Sequence, residues 1–140
     1  MYKYLEPEVA GGIGIDTILD NSIHPPLVKF LHYHFSGWMG DDILETFPCF
    51  IISERLKNAI ENNKLTGIFF DFVKITKSED FEKISIKDEL PIFYWAKING
   101  SFGIDDFVIA QDYRLLVSDR AYRIINSFNI ENAIFEDYLS

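Results

Sequence analysis

Apolar and polar positions along the chain fall into one phrase that occurs twice. Residues 50–73 read FIISERLKNAIENNKLTGIFFDFV, and residues 115–138 read LLVSDRAYRIINSFNIENAIFEDY. Ser53 and Ser118, Arg55 and Arg120, Ile60 and Ile125, Leu65 and Ile130, and Phe70 and Phe135 all stand at a constant spacing of 65. Each copy is an apolar run, then Ser-acid-Arg, then a segment of helical period, then a second apolar run. A Ser before a helical segment predicts an N-cap, since its hydroxyl accepts an orphan amide of the first turn. The acid that follows sits at the positive end of the helix dipole. The buried stripes are Leu56, Ala59 and Ile60 in the first helix and Ala121, Ile124, Ile125 and Phe128 in the second.

The rest of the pattern is read the same way. Residues 2–5 predict an edge strand or arm. The glycines at 11, 12 and 14 lack the third in register that a dinucleotide loop requires, so they predict a turn or bulge. Residues 28–35 alternate, with Lys29, Leu31, Tyr33 and Phe35 on one face and Val28, Phe30, His32 and His34 on the other. Residues 36–40 form a turn holding Trp38, and Asp41 or Asp42 caps a short helix running to about Thr46. Residues 66–75 predict a strand and 77–89, the most polar stretch, a surface loop or hairpin edge. Residues 92–98 predict a strong strand closed by Asn99-Gly100. Residues 107–110 and 114–117 predict two short strands around a turn at Asp112-Tyr113, and 130–138 a terminal strand. The sum is an α+β fold, a mostly antiparallel sheet carrying two short related helices.

Composition narrows the picture. A chain of 140 residues reads as a single domain with room for a real core. With 13 Phe, 7 Tyr and 2 Trp, most rings belong in that core. The lone Cys49 lies in an apolar run and reads as a buried structural thiol, which fits a reducing compartment. No stretch has the length of a membrane helix and the first residues show no signal pattern, so a cytoplasmic location is expected. The net charge of -9 is spread along the chain and repels phosphate backbones. Nucleic acid is therefore not an expected partner, whereas a basic protein is attracted at long range.

Candidate chemistry is sparse. His32 and His34, at i and i+2 of one strand, share a face as metal sites sometimes require, with His24, Asp41 and Asp42 close in sequence. No HExxH or GxSxG motif occurs, and the apolar neighbours of Cys49 argue against a thiol nucleophile. The acid pairs Asp41-Asp42 and Asp105-Asp106 sit in or beside turns and, with Trp38, are the candidate partner-binding residues. Arg55 and Arg120 recur just after each cap, where a cation opposes the helix dipole. Each is expected in a structural ion pair or a ligand contact, with Asp71 and Asp106 as candidate carboxylates. No cofactor, resident metal or catalytic residue is assigned.

The segments FSGWMGDD (35–42), FPCFIISERL (47–56), LTGIFFDFV (65–73), LPIFYWAKING (90–100) and LLVSDRA (115–121), taken together, resemble small bacterial immunity or immunity-like proteins of polymorphic toxin systems. The likeness covers roughly residues 1 to 138. It implies an α+β protein without enzymatic activity that binds and blocks a cognate toxin domain. It carries over no fixed catalytic residues. The alternative reading is a small metal-dependent enzyme or ligand-binding protein built on His32 and His34.

Overall fold

The computed structural model describes residues 1–84 and 90–139. Along the chain come strands β1 (Tyr2–Glu6), β2 (Gly11–Ile13), β3 (Ile18–Asp20), β4 (Leu27–Phe30), β5 (His32–Phe35), β6 (Ile43–Thr46) and β7 (Cys49–Ser53). Helix α1 (Glu54–Asn62), β8 (Ile68–Asp71), β9 (Lys74–Lys77) and helix α2 (Glu79–Ile84) follow. Then come β10 (Phe93–Ile98), β11 (Phe107–Ile109), β12 (Leu115–Ser118), helix α3 (Asp119–Ile125) and β13 (Ile134–Asp137). The fold is mixed α+β and strand-dominated, with mostly antiparallel sheets.

The repeat becomes two four-stranded sheets rather than one. Their spatial orders are β6-β7-β10-β8 and β11-β12-β1-β13. The two correspond strand for strand. Ile52 faces Ile43 and Tyr94 in the first sheet, and Val117 faces Phe107 and Lys3 in the second. Phe70 pairs with Ala96, and Phe135 with Leu5. β10 and β1 therefore occupy equivalent places. Yet β1 opens the first copy in the chain and completes the sheet of the second, while β10 opens the second copy and completes the sheet of the first. The halves exchange strands about an internal pseudo-twofold.

One core joins them. Leu5, Ile43, Phe50, Ile52, Ala96, Phe107, Leu115 and Val117 from the two sheets meet Leu56 and Ile60 of α1 and Ala121 and Ile125 of α3. Both predicted stripes thus face the same interior. A second core lies behind the first sheet, where Leu44, Ile51 and Trp95 meet Leu31, Tyr33, Phe35 and Phe81. It is closed by a smaller sheet in the order β2-β5-β9, with β5 and β9 parallel. β7 is buried on both sides, which accounts for its unbroken apolar run.

Several expectations change. Residues 2–6 are a central strand, since the first apolar run of the second copy needs a neighbour that its own half does not supply. The alternating run 28–35 breaks at Leu31 into β4, which pairs with β3, and β5. The glycine turn is the edge strand β2. Gly11 lies so close to the His34 carbonyl that a side chain would collide with it. Residues 43–46 are a strand and not a helix, because Asp42 is consumed elsewhere and β7 offers a hairpin partner. The run 66–75 divides into β8 and β9, which belong to different sheets. The polar stretch holds α2, anchored by buried Phe81; residues 85–89 lie outside the described residues.

A removable arm and a central strand behave differently on truncation. Deleting residues 1–6 is expected to abolish cooperative unfolding in urea, since β12 and β13 lose the strand between them. A deletion variant that keeps a sharp transition at nearly the same midpoint would show β1 to be the dispensable arm that the pattern suggested.

Candidate functional site

The acid pairs turn out to be unlike each other within each pair. Asp42 is buried below the N-terminus of α1. Its Oδ1 accepts Ser53 Oγ at 2.6 Å and Arg55 Nε at 2.8 Å, and its Oδ2 accepts Arg55 Nη2 at 2.6 Å and the Asn129 amide at 2.9 Å. Asp106 repeats the arrangement at α3. Its Oδ1 accepts Ser118 Oγ at 2.6 Å, and its Oδ2 accepts Arg120 Nη2 at 2.9 Å and the Thr66 amide at 2.9 Å. In both copies the cap serine donates to the aspartate and accepts the amide three residues on, Leu56 at 3.4 Å and Ala121 at 3.0 Å. A cation at a helix start is thereby explained: a carboxylate fully spent on hydrogen bonds lies beside it.

These contacts cross between the halves. Asn129 follows α3 and is held by Asp42 of the first copy; Thr66 follows α1 and is held by Asp106 of the second. The backbone closes each crossing, with the Asp42 amide donating to the Asn129 carbonyl (2.7 Å) and the Asp106 amide to the Thr66 carbonyl (3.1 Å). Arg120 also donates to the carbonyls of Asn63 and Lys64, and Arg55 lies 5.6 Å over the Phe128 ring.

Electrostatics follow. Burial pushes the Asp106 carboxyl up, but Arg120, Ser118 and the Thr66 amide outweigh it and hold the group at about 2. The same balance keeps Asp42 below the usual carboxylate range. Arg55 and Arg120 are therefore structural ion-pair residues. For Arg55 the partner is Asp42, because Asp71 is taken by Lys97 at 2.8 Å.

As surface anchors, most of the predicted residues are corrected. Asp41, Asp42 and Asp106 are 1%, 2% and 8% exposed and point inward. Asp41 takes the amide and side-chain nitrogen of Asn132, each at 3.0 Å. Trp38 is half-buried, its indole N–H donating to the Asp41 carbonyl at 2.9 Å and its ring set edge-on to Phe93. Asp105 is partly exposed and receives the Ser101 amide at 2.7 Å. Turn residues of this kind bind their own backbone before they bind anything else.

A different acidic group was missed. Glu8 lies beneath Met39 and Asp41, accepting their amides at 2.8 and 3.4 Å. Burial raises the carboxyls of Glu8, Asp41 and Glu45, and neighbouring carboxylates raise them further: Asp41 acts on Glu8, Asp42 and Glu131 on Asp41, and Glu6 on Glu45. Among the described residues, no Lys or Arg pairs with Glu6, Glu8, Asp41, Glu45 or Glu131. The five come from three separate stretches of the chain, and no local motif announces them.

His32 and His34 do share a face, and Thr76 of β9 sits between them. The Asp16 amide donates to His32 Nδ1 (3.2 Å), so Nε2 carries the ring proton and donates to Thr76 Oγ1 (2.7 Å). The Thr76 hydroxyl must then donate to His34 Nδ1 (2.6 Å). The pair opens on a hollow of about 400 Å³ walled by Ile13, Ile15, Asp16 and Lys74, with Asp16 and Lys74 ion-paired. The further ligands a metal requires do not converge. His24 packs against Phe47 and Tyr113, Asp41 and Asp42 serve the loops, and no group of three metal-binding side chains forms among the described residues. Cys49 is buried, its thiol pushed up to about 12, which suits an inert core residue.

Comparison with protein-family models, curated proteins and solved structures returned no match. No helix of the described residues is long and apolar enough to cross a membrane.

Two predictions follow from these geometries. Asp42→Asn and Asp106→Asn are each expected to cost about 3 kcal/mol in urea unfolding, since each strands an arginine and loosens a loop of the opposite half. The wild-type contribution from Asp106 is full above 3.8 and is lost as pH falls towards 2. A cost below about 0.5 kcal/mol in either variant would place it among ordinary surface pairs. For His32, burial, Lys74 and His34 lower the pKa below 6.5 against the opposing pull of Asp16. Protonation is thus harder in the folded state, so stability is full above 6.5 and declines below it as the unfolded chain takes up the proton. His32→Gln should flatten the unfolding midpoint between about pH 7 and 5; an unchanged slope would remove His32 from that titration.

Proposed function

We propose that this chain is a non-enzymatic binding protein that captures a basic toxin domain and blocks it, an immunity protein acting inside the cell that makes it. The observation that carries the reading is the set of carboxylates at Glu6, Glu8, Asp41, Glu45 and Glu131. Glu8, Asp41 and Glu131 lie near one another, as do Glu45 and Glu6, and among the described residues no Lys or Arg forms an ion pair with any of them, in a protein already carrying -9. Burying like charges costs stability at neutral pH, and a positively charged partner relieves that cost on binding. The resemblance carried by residues 35–42, 47–56, 65–73, 90–100 and 115–121 supports the same assignment, and the free buried Cys49 suits a reducing interior. An acidic inhibitor also associates fast with a basic enzyme and covers the surface that the enzyme uses on phosphates.

The test is kinetic. The adjoining gene is expected to encode a toxin with a basic C-terminal domain, and association with that domain, followed by stopped-flow fluorescence, is expected to slow roughly tenfold from low to high salt. Glu131→Lys should slow it further at low salt while raising the unfolding midpoint at neutral pH, because it removes a like charge beside Asp41. Failure of the chain to bind that domain, or to protect cells expressing it, would end the reading.

A further inference from the structure

A directional run of hydrogen bonds ends at the hollow beside His34. The Asp16 amide, His32 and Thr76 donate in turn, and His34 Nδ1 is the last acceptor. A neutral ring that accepts at Nδ1 carries its proton on Nε2. That N–H has no acceptor among the described residues, where every buried side-chain nitrogen has a partner, so it is open to solvent. The ring lies on the outer face of the β2-β5-β9 sheet, opposite the side where Tyr33, Phe35 and Ile75 enter the second core. In the strand registers His34 stands between Gly12 and Thr76, and His32 beside Lys74. Gly14 lets the β2 backbone pack on the His32 ring, while the space that a side chain would take at Gly12 is empty. His34 is therefore half-buried and uncovered from that edge.

The hollow has the size and the charge for a small anion. Its volume of about 400 Å³ is in the range of small-ligand pockets. In a chain of net charge -9 it gathers one ammonium and two imidazoles against one carboxylate, that of Asp16, which is already paired with Lys74. Lys74 and Thr76 are two apart in β9, so the ammonium and the His34 donor sit in adjacent rows of the sheet, roughly 6.6 Å apart at the backbone. A carboxylate can bridge such a gap, with one oxygen on each donor. A second negative charge on the ligand would meet Asp16. Ile13 and Ile15, 37% and 97% exposed, line the same hollow and offer apolar surface to a short hydrocarbon chain.

We propose that this hollow binds a small aliphatic monocarboxylic acid, its carboxylate on His34 Nε2–H and Lys74 and its chain over Ile13 and Ile15. The site is independent of the toxin-binding reading, and either can stand without the other. The probe is butyrate, titrated into the full chain and followed through the backbone amide signals of β2, β5 and β9 by NMR. Those signals are expected to move together and saturate with a Kd of about 5 mM. Acetate, which lacks two methylenes, should bind roughly tenfold more weakly. Butyramide, which keeps the chain and lacks the charge, should bind at least roughly tenfold more weakly. His34→Phe and Lys74→Met, each with a cooperative urea transition to show that it folds, should each weaken butyrate at least roughly tenfold. No saturable movement in the wild-type chain up to about 100 mM butyrate would overturn the site. So would butyramide or acetate binding as tightly as butyrate, or unchanged butyrate affinity in either folded variant.

Discussion

Two buried aspartates hold this structure's halves to one another. Asp42 and Asp106 each take a cap serine, an arginine and a backbone amide, and the amide in each case comes from the other half. A carboxylate out of water is tolerable only when every lone pair is used, and here nearly all are. The chain therefore cannot form either helix start in isolation. α1 is capped by a network that includes the loop after α3, and α3 by one that includes the loop after α1. Strand exchange by β1 and β10 adds backbone pairing to the same mutual dependence. Apolar packing provides the bulk of the stabilisation, while the paired aspartates set which loop meets which helix.

Some of this was legible in the sequence. The repeated apolar runs, both cap serines and both helix stripes were read directly, because a cap and a 3.6-residue period are local. The strands at 93–98, 107–109 and 115–118 were legible for the same reason. The acid pairs were visible too, but their equivalence was hidden. Asp42 and Asp106 are 64 apart where the serines are 65, since the second hairpin connection is one residue longer. Allowing that single insertion would have linked the aspartates to the serines and named the partner of Arg55.

What was not legible depended on distance in sequence. Residues 2–5 read as an edge strand or arm and not as a central strand, because their neighbours lie more than 100 residues away, at β12 and β13. Residues 43–46 carried a helix-like start, Asp followed by apolar residues, and tertiary pairing with β7 overrode it. The glycines at 11 and 14 signal close approach. They do not say that the approaching groups are the His34 backbone and the His32 ring. The group of five carboxylates likewise exists only once β1, β6 and the loop after α3 are assembled.

The buried carboxylates fall into two classes, told apart by whether an arginine answers them. Asp42 and Asp106 are lowered, and each has an arginine; they stabilise the fold at neutral pH and have nothing left to offer a partner. Glu8, Asp41 and Glu45 are raised by burial, and among the described residues no Lys or Arg forms an ion pair with them. A protein under no constraint but stability would place a lysine near that group or replace one of its acids with a neutral residue, either of which removes the repulsion. The same half-to-half comparison applies to the sheets. On the outer face of the first sheet Leu44 and Ile51 are buried under β5 and Phe81, and on the second Val108 and Leu116 are 4% and 1% exposed, with Tyr138 and Arg114 packed against Tyr4.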